Sequence, residues 1–352
     1  MAAPLFIVGT GRCGSTMLSN IVRRHPDMLS LSEFFTSLGS RAFLGRRLTG
    51  EAVFRRLNTL PAEGRAMLEN GFQLDEFLYR FSPGSRYQPH NVPPIMGSTM
   101  PHITDDAEGV WDELASALRR RGSETLADQY RFVFDWLAHR FGKSVWIERS
   151  GASLPFVPTL GRMFPDARFV HIHRDGRDTA LSMRRHHFFR WRVLAAERMR
   201  RFGINPFDPR SLPGTSPWVP LLSWIWFKLV FRADRYRREV IELPSFGRFW
   251  SRMIEQGTAH LNALPEERVL TMRYERVLAF PREELTRFIR FVGREFEDPV
   301  WTDAAAALVR PQEARWPTLD PAEQRALADA CEPGQSILGY GGHSVAPGEG
   351  TA

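Results

Sequence analysis

Short apolar runs that stop at polar or glycine-containing turns alternate along the chain with longer stretches of helical spacing. That is the pattern of a parallel sheet carrying helices on both faces. Five runs read as strands: Leu5 to Val8, Met28 to Leu31, Val145 to Ile147, Arg168 to Ile172 and Arg268 to Met272. The clearest helix follows the last of them, between Arg282 and Val292, where Leu285, Phe288, Ile289 and Val292 fall at i, i+3, i+4 and i+7 and so share one face against a core. Two long stretches, about 34–142 and 184–265, hold helical patterns without convincing strands. They read as helical excursions from the sheet, one or both of which should cover the functional site. Residues 1–345 are expected to form one domain, with 346–352 as a flexible tail.

Composition narrows the class. With 43% apolar and 12% aromatic residues in 352, the chain has ample material for a large core. A formal net charge of +7 favours anionic ligands, whether nucleotides, polyanionic substrates, nucleic acid or an acidic membrane surface, without choosing among them. The two cysteines, Cys13 and Cys331, form no CxxC or metal-ligand spacing, which suits a reducing compartment. The chain starts Met-Ala-Ala-Pro, with no basic segment or long apolar stretch of a signal peptide, so a cytoplasmic location is expected. The apolar stretch from Trp218 to Phe231 is broken by Ser223 and Lys228 and falls short of the roughly 20 residues a membrane span needs, and it reads as a buried or interfacial helix.

The first strand runs into Gly9-Thr10-Gly11-Arg12-Cys13-Gly14-Ser15-Thr16, and Met17, Leu18, Ile21 and Val22 follow in helical spacing. A strand, a glycine-rich turn and a helix point successive backbone amides and the positive end of a helix dipole at one spot, which makes an anion cradle. The spacing Gly9-x4-Gly14 is that of a Walker A loop, but Ser15 stands where a nucleoside triphosphatase carries its lysine, and the basic group sits inside the loop at Arg12. Taken alone, the turn also fits an ordinary tight strand-to-helix connection.

The run Phe-Ile-Val-Gly-Thr-Gly-Arg-Cys-Gly-Ser-Thr-Met-Leu resembles the 5′-phosphosulfate loop of the sulfotransferases that use PAPS (3′-phosphoadenosine 5′-phosphosulfate), in particular the bacterial and tyrosylprotein type. The resemblance implies a P-loop NTPase-like three-layer α/β fold with a parallel sheet of about five strands, and transfer of a sulfuryl group from PAPS to an acceptor hydroxyl. In that reading Arg12 neutralises the leaving phosphate, and Gly11, Cys13, Gly14, Ser15 and Thr16 complete the 5′-phosphate cradle. A second segment, Arg174-Asp175-Gly176-Arg177-Asp178-Thr179-Ala180-Leu181-Ser182, opens at a strand's carboxyl end and is similar to the family's 3′-phosphate motif, an arginine and a serine eight positions apart. Arg174 and Ser182 inherit that role, while Asp175 and Asp178 equally suit a salt-bridged helix start.

Sulfuryl transfer needs a base, cations at the leaving oxygen and fixed geometry. His25-Pro26-Asp27, a short strand and Glu33 resemble the segment carrying the catalytic glutamate of the tyrosylprotein type, so Glu33 is the candidate base, with His25 and His173 as alternatives. Trp146-Ile147-Glu148-Arg149-Ser150 is similar to the family's Trp-x-Glu-Lys-Thr, which would turn Arg149 towards the sulfonate or 5′-phosphate. Val269 to Glu275 with Phe291-Val292-Gly293 resembles the family's late strand and Phe-Leu-Gly segment, where Tyr274 could meet the nucleotide. Arg310 and Arg315 lie where a late basic loop of the family reaches the 3′-phosphate, but they carry no specific motif and are not assigned a role. Positive side chains can replace Mg2+ here, so no metal is expected.

The expected partner is a hydroxyl-bearing acceptor, whether small molecule, carbohydrate, lipid or peptide; no nucleic acid is expected. The mixed stretch Arg184-Arg185-His186-His187-Phe188-Phe189-Arg190-Trp191-Arg192 fits an acidic or aromatic acceptor, a peripheral membrane contact, base stacking, or a solvated basic helix beside packed rings. Readings of another class are a non-catalytic nucleotide- or RNA-binding protein on this fold and a small-molecule kinase.

Overall fold

A computed structural model of the chain describes residues 3–72, 76–201, 203, 221, 225–227 and 231–340. The expected tail and most of the 218–231 segment lie outside these residues. Five strands, β1 (Leu5–Val8), β2 (Met28–Ser32), β5 (Val145–Arg149), β6 (Arg168–His173) and β7 (Val269–Arg273), form one sheet in the order β2-β5-β1-β6-β7. Every pairing in it is parallel: Leu5 faces Ile147 on one side and Arg168 on the other, Met28 faces Val145, and Phe169 faces Val269. All five strands fall on the apolar runs of the sequence. The remaining two, β3 (Arg47–Thr49) and β4 (Ser123–Thr125), make a small antiparallel pair within the first excursion. This corrects the expectation of a strand-free excursion: three exposed or half-buried residues apiece leave no alternation to read.

The sheet is buried on both sides, which is why its strands are apolar throughout rather than alternating. Phe6, Val8, Leu29, Leu31, Trp146 and Phe169 point into one core. Leu5, Ile7, Met28, Ile147, Val170 and Ile172 point into the other. The second core is closed by α1 (Ser15–Val22) and by the helix Pro281–Val292, whose Leu285, Phe288, Ile289 and Val292 are buried as their spacing demanded. The first core is closed by helices from the excursions, among them Leu126–Arg140 and Leu243–Asn262. The three-layer, P-loop-like fold follows from these two faces. No helix among the described residues is long and apolar enough to cross a membrane.

Strand order places the site. From β1 the chain crosses to β2 on one side, and from β5 it passes over β1 to β6 on the other. The carboxyl ends of β1 and β6 therefore border the crevice where open parallel sheets bind ligands.

Two sheet residues give measurable consequences. Phe6 is fully buried, with the rings of Phe164, Phe169 and Trp146 at 5.3, 5.8 and 5.8 Å. Phe6→Ala is expected to cost about 3–5 kcal/mol in urea denaturation, the range for an emptied aromatic site. Glu148 is buried in β5 with Ser150 Oγ 2.6 Å from its Oε1, and burial raises its carboxyl from 4.5 to about 8. Between those two pH values the folded chain keeps a proton that the unfolded chain has lost, so this group makes stability fall as pH rises across that window. Glu148→Gln should remove the effect, so that the unfolding free energies of wild type and variant from urea denaturation diverge from pH 5 to 8 in the variant's favour by on the order of 1 kcal/mol per pH unit.

Candidate active site

The turn after β1 is an open anion cradle. Gly11, Arg12 and Gly14 all have positive φ, at 76°, 57° and 94°. Gly14 caps α1 without a side-chain bond, and no acidic residue occupies the first turn of that helix. The N-terminus of α1 thus has no side-chain cap and no acidic side chain to compete with an anionic ligand. Glycine is required twice here by contact as well as by φ. A β-carbon on Gly14 would lie 2.3 Å from the Tyr274 ring, and one on Gly11 would lie 2.4 Å from Phe189. Cys13 contributes only backbone, since its thiol is fully buried in the sheet's second core and burial pushes its pKa up. Ser15 is buried and Thr16 exposed at the start of α1.

Three non-glycine residues have left-handed backbones among the described residues: Arg12, Glu33 and Ala152. They follow β1, β2 and β5, three adjacent strands of the sheet. Each such conformation costs roughly 1–3 kcal/mol and persists where surrounding structure over-determines it, as at sites that bind or react.

Glu33 and Arg149 form a buried ion pair at the ends of β2 and β5. Arg149 also donates to Ser32 Oγ at 2.8 Å, and the Gly151 amide donates to Glu33 Oε2 at 2.9 Å. The Glu33 amide in turn reaches the Arg149 carbonyl at 2.7 Å. Burial pushes the Glu33 carboxyl up, with Arg149 and the Gly151 amide pulling the other way. Arg149 Nε is buried without a hydrogen-bond partner among the described residues, so the guanidinium retains a donor.

Arg12 gathers the rest. Its Nε donates to Ser182 Oγ at 3.0 Å and its Nη1 to Glu76 Oε1 at 3.0 Å. Glu76 Oε2 pairs with His186 Nε2 at 2.9 Å. Burial raises the Glu76 carboxyl, but His186, Arg12 and Arg149 more than offset it and hold it at about 2. Ser182 lies on the helix Gly176–Arg185 that follows β6 and begins two residues after Arg174. Arg174 sits 4.9 Å over the Tyr274 ring and 3.3 Å from Asp178, and Tyr274 donates to Gln312 Oε1 at 3.0 Å. Asp178 Oδ1 accepts from the amides of Arg315 and Trp316, which pins the 312–316 loop beside the site. Asp175 caps its helix and holds the Arg177 side chain. Both aspartates therefore have structural roles, and the loop carrying Arg315 lies beside Asp178 and Arg174.

The two histidines named as alternative bases are structural. His25 is buried between the Asp27 amide and the Phe296 carbonyl, and His173 Nδ1 is 3.1 Å from the Tyr340 hydroxyl. Glu76 and His186 were missed as members of the site. Glu76 had no signal, because it lies in an excursion without sequence pattern, whereas His186 belongs to the mixed stretch already singled out.

A cleft enclosing about 1020 Å3, part of it open to solvent, begins at Arg12, Ser15, Thr16, Glu33 and Arg149. Both excursions wall it, the first through residues 60–68, 76–77 and 94–98 and the second through 186–191. Arg174, Ser182 and Tyr274 are not in its lining; Ser182 meets the glycine-rich loop at Arg12 and Tyr274 meets it at Gly14, while Arg174 packs on the Tyr274 ring.

No curated protein matches the chain. Solved structures similar to it include the sulfotransferase domain of the curacin biosynthetic pathway, at 13% identity over 97% of this chain and 98% of that one, with a TM-score of 0.45. A sulfotransferase from Alicyclobacillus acidocaldarius is 17% identical over 97% and 96%, with a TM-score of 0.42. The sulfotransferase domain of the Synechococcus PCC 7002 olefin synthase is 15% identical over 94% and 95%, with a TM-score of 0.39. Residues 4–205, more than half of the chain, match the model of the sulfotransferase family, and the chain belongs to that family.

Proposed function

We propose that this protein transfers the sulfuryl group of PAPS to a hydroxyl of an acceptor that enters through the cleft. The observation that carries the proposal is the meeting at Arg12 of an open helix terminus, Ser182 from the second motif and the carboxylate-lined end of the cleft. Gly11, Gly14, Ser15, Thr16 and the backbone of Cys13 would hold the 5′-phosphate, Arg174 and Ser182 the 3′-phosphate, and Tyr274 the nucleotide. The uncapped N-terminus of α1 and the unpaired Arg149 Nε suit such an anion.

Glu33 would accept the proton of the acceptor hydroxyl. The new oxygen–sulfur bond forms as the sulfur–oxygen bond to the 5′-phosphate breaks, and the products are a sulfate ester and PAP (adenosine 3′,5′-bisphosphate). By analogy with phosphoryl transfer the transition state is loose and charge gathers on the leaving oxygen, where Arg12 acts, with Arg149 beside it. Arg149 also holds Glu33 in place. Glu76 shares Arg12 in the structure described, so donor phosphate or sulfonate would take over that contact. Two buried cysteines in separate elements suit work in the cytoplasm.

Calorimetry without added metal tests the donor site. PAP is expected to bind at least ten-fold tighter than AMP or ATP, and equal or absent binding would remove the proposal. Arg174→Ala should weaken PAP roughly ten-fold or more, the scale of lost charge-assisted bonds, while leaving AMP unchanged. Glu33→Gln should slow transfer from labelled PAPS by roughly 100-fold, as for a lost general base. Unchanged PAP affinity in that variant shows that the fold survives the loss of a buried partner for Arg149, and unchanged turnover would demote Glu33 to a positioning residue.

A further inference from the structure

The cleft changes character within a few residues of the phosphate loop. On the side of the first excursion it is faced by Leu60, Pro61, Met67 and Leu68, the last two on the helix Ala62–Glu69, with Phe77 and Pro94 beyond them. Phe188, Phe189 and Trp191 face it from the helix His187–Arg201. These rings already pack on one another, with Phe188 5.6 Å from Phe189 and 6.4 Å from Trp191. Met67 and Trp191 continue into a third apolar cluster with Phe72, Phe227 and Phe231, so the wall is backed by packed core.

Three hydroxyls of the cleft are committed, while Arg149 Nε and His186 Nδ1 have no hydrogen-bond partner among the described residues. Thr36 Oγ1 donates to the Gly151 carbonyl, Ser37 Oγ to the Phe34 carbonyl and Ser98 Oγ to the Glu76 carbonyl. Each arginine of the described lining holds a carboxylate, Arg149 that of Glu33 and Arg12 that of Glu76. Glu63, a third carboxylate of the lining, accepts from the Ser40 amide at 3.0 Å. An anionic acceptor would therefore meet three carboxylates, with both arginines already paired and only Arg149 Nε left as a donor beside Glu33, and a sugar would bury most of its hydroxyls against rings and aliphatic chains without enough partners.

We propose that the acceptor is an uncharged alcohol or phenol with an aromatic or aliphatic body, held by the walls from Leu60 to Leu68 and from Phe188 to Trp191 with its hydroxyl turned towards Glu33. The inference rests on the sulfotransferase reading for the hydroxyl's role, but the apolar pocket itself can be tested apart from it. Burying such a body yields roughly 25 cal/mol per Å2, while the wall's edge-on and tilted rings add geometric preference for an aromatic one. The net positive charge of the whole chain has no part in choosing it.

The test uses the full chain. PAP loading is measured first by calorimetry, and then naphthol, decanol, methyl glucoside and an acidic tyrosine-containing peptide are titrated into the PAP-loaded protein. Naphthol and decanol are expected to bind at least ten-fold tighter than the glucoside and the peptide. Phe188→Glu and Leu68→Glu, half-buried positions on opposite walls, should each weaken naphthol at least ten-fold with PAP affinity unchanged. Two sites guard against one variant failing to fold. Glucoside or peptide binding as tight as naphthol, or no binding of naphthol and decanol, overturns the inference. Failure of PAP to bind defeats the donor reading instead, and the same titrations on the free protein then decide the nature of the cleft.

Discussion

The architecture around the site hangs on one buried ion pair, Glu33 with Arg149. A charge removed from water is tolerated only when its partner and hydrogen bonds are in place, and deleting one member of such a pair typically costs 3–5 kcal/mol. Here the remaining bonds come from the pair's own neighbours, Ser32 and the Gly151 amide. To make them, the chain turns left-handed at Glu33 directly after β2 and again at Ala152 shortly after β5. The strained turns and the ion pair therefore determine one another, and both depend on β2 lying beside β5.

That constraint also sets what can reach Arg12. With two strand ends tied together, the phosphate loop projects into the cleft from the next strand, β1, between them and β6. Phe189 of the second excursion then stands against Gly11, and Tyr274, directly after β7, stands against Gly14. Rigid sheet ends carry the charged groups and the insertions carry the apolar walls. This is the usual division between a scaffold and the segments that select a ligand.

The five sheet strands could be read from sequence because a strand buried on both faces must be apolar along its whole length. Arg12, Glu33, Arg149 and Arg174 could be named because each lies within a few residues of such a strand, inside a run with family resemblance. Their partners could not. Nothing in sequence pairs β2 with β5, so the union of Glu33 and Arg149 appears only once the strand order is known. Glu76 reaches Arg12 from 64 residues away out of a segment with no periodic pattern, and the β3–β4 pair is too short and too exposed to leave one. His186 stood in a stretch whose basic and aromatic character fitted several uses, and only its bond to Glu76 separates it from the helix that follows.

The carboxylate of Glu76 at Arg12 has a thermodynamic consequence. An anion that settles on this guanidinium does so by exchange, because it must displace a carboxylate already held there and by His186. Its measured affinity is then the difference between two ion pairs rather than the strength of one. The same carboxylate stands ready to cover the guanidinium when no anion is there. A chain that carries its own counter-ion beside the glycine-rich loop holds an anion at that position less tightly than an unpaired arginine would.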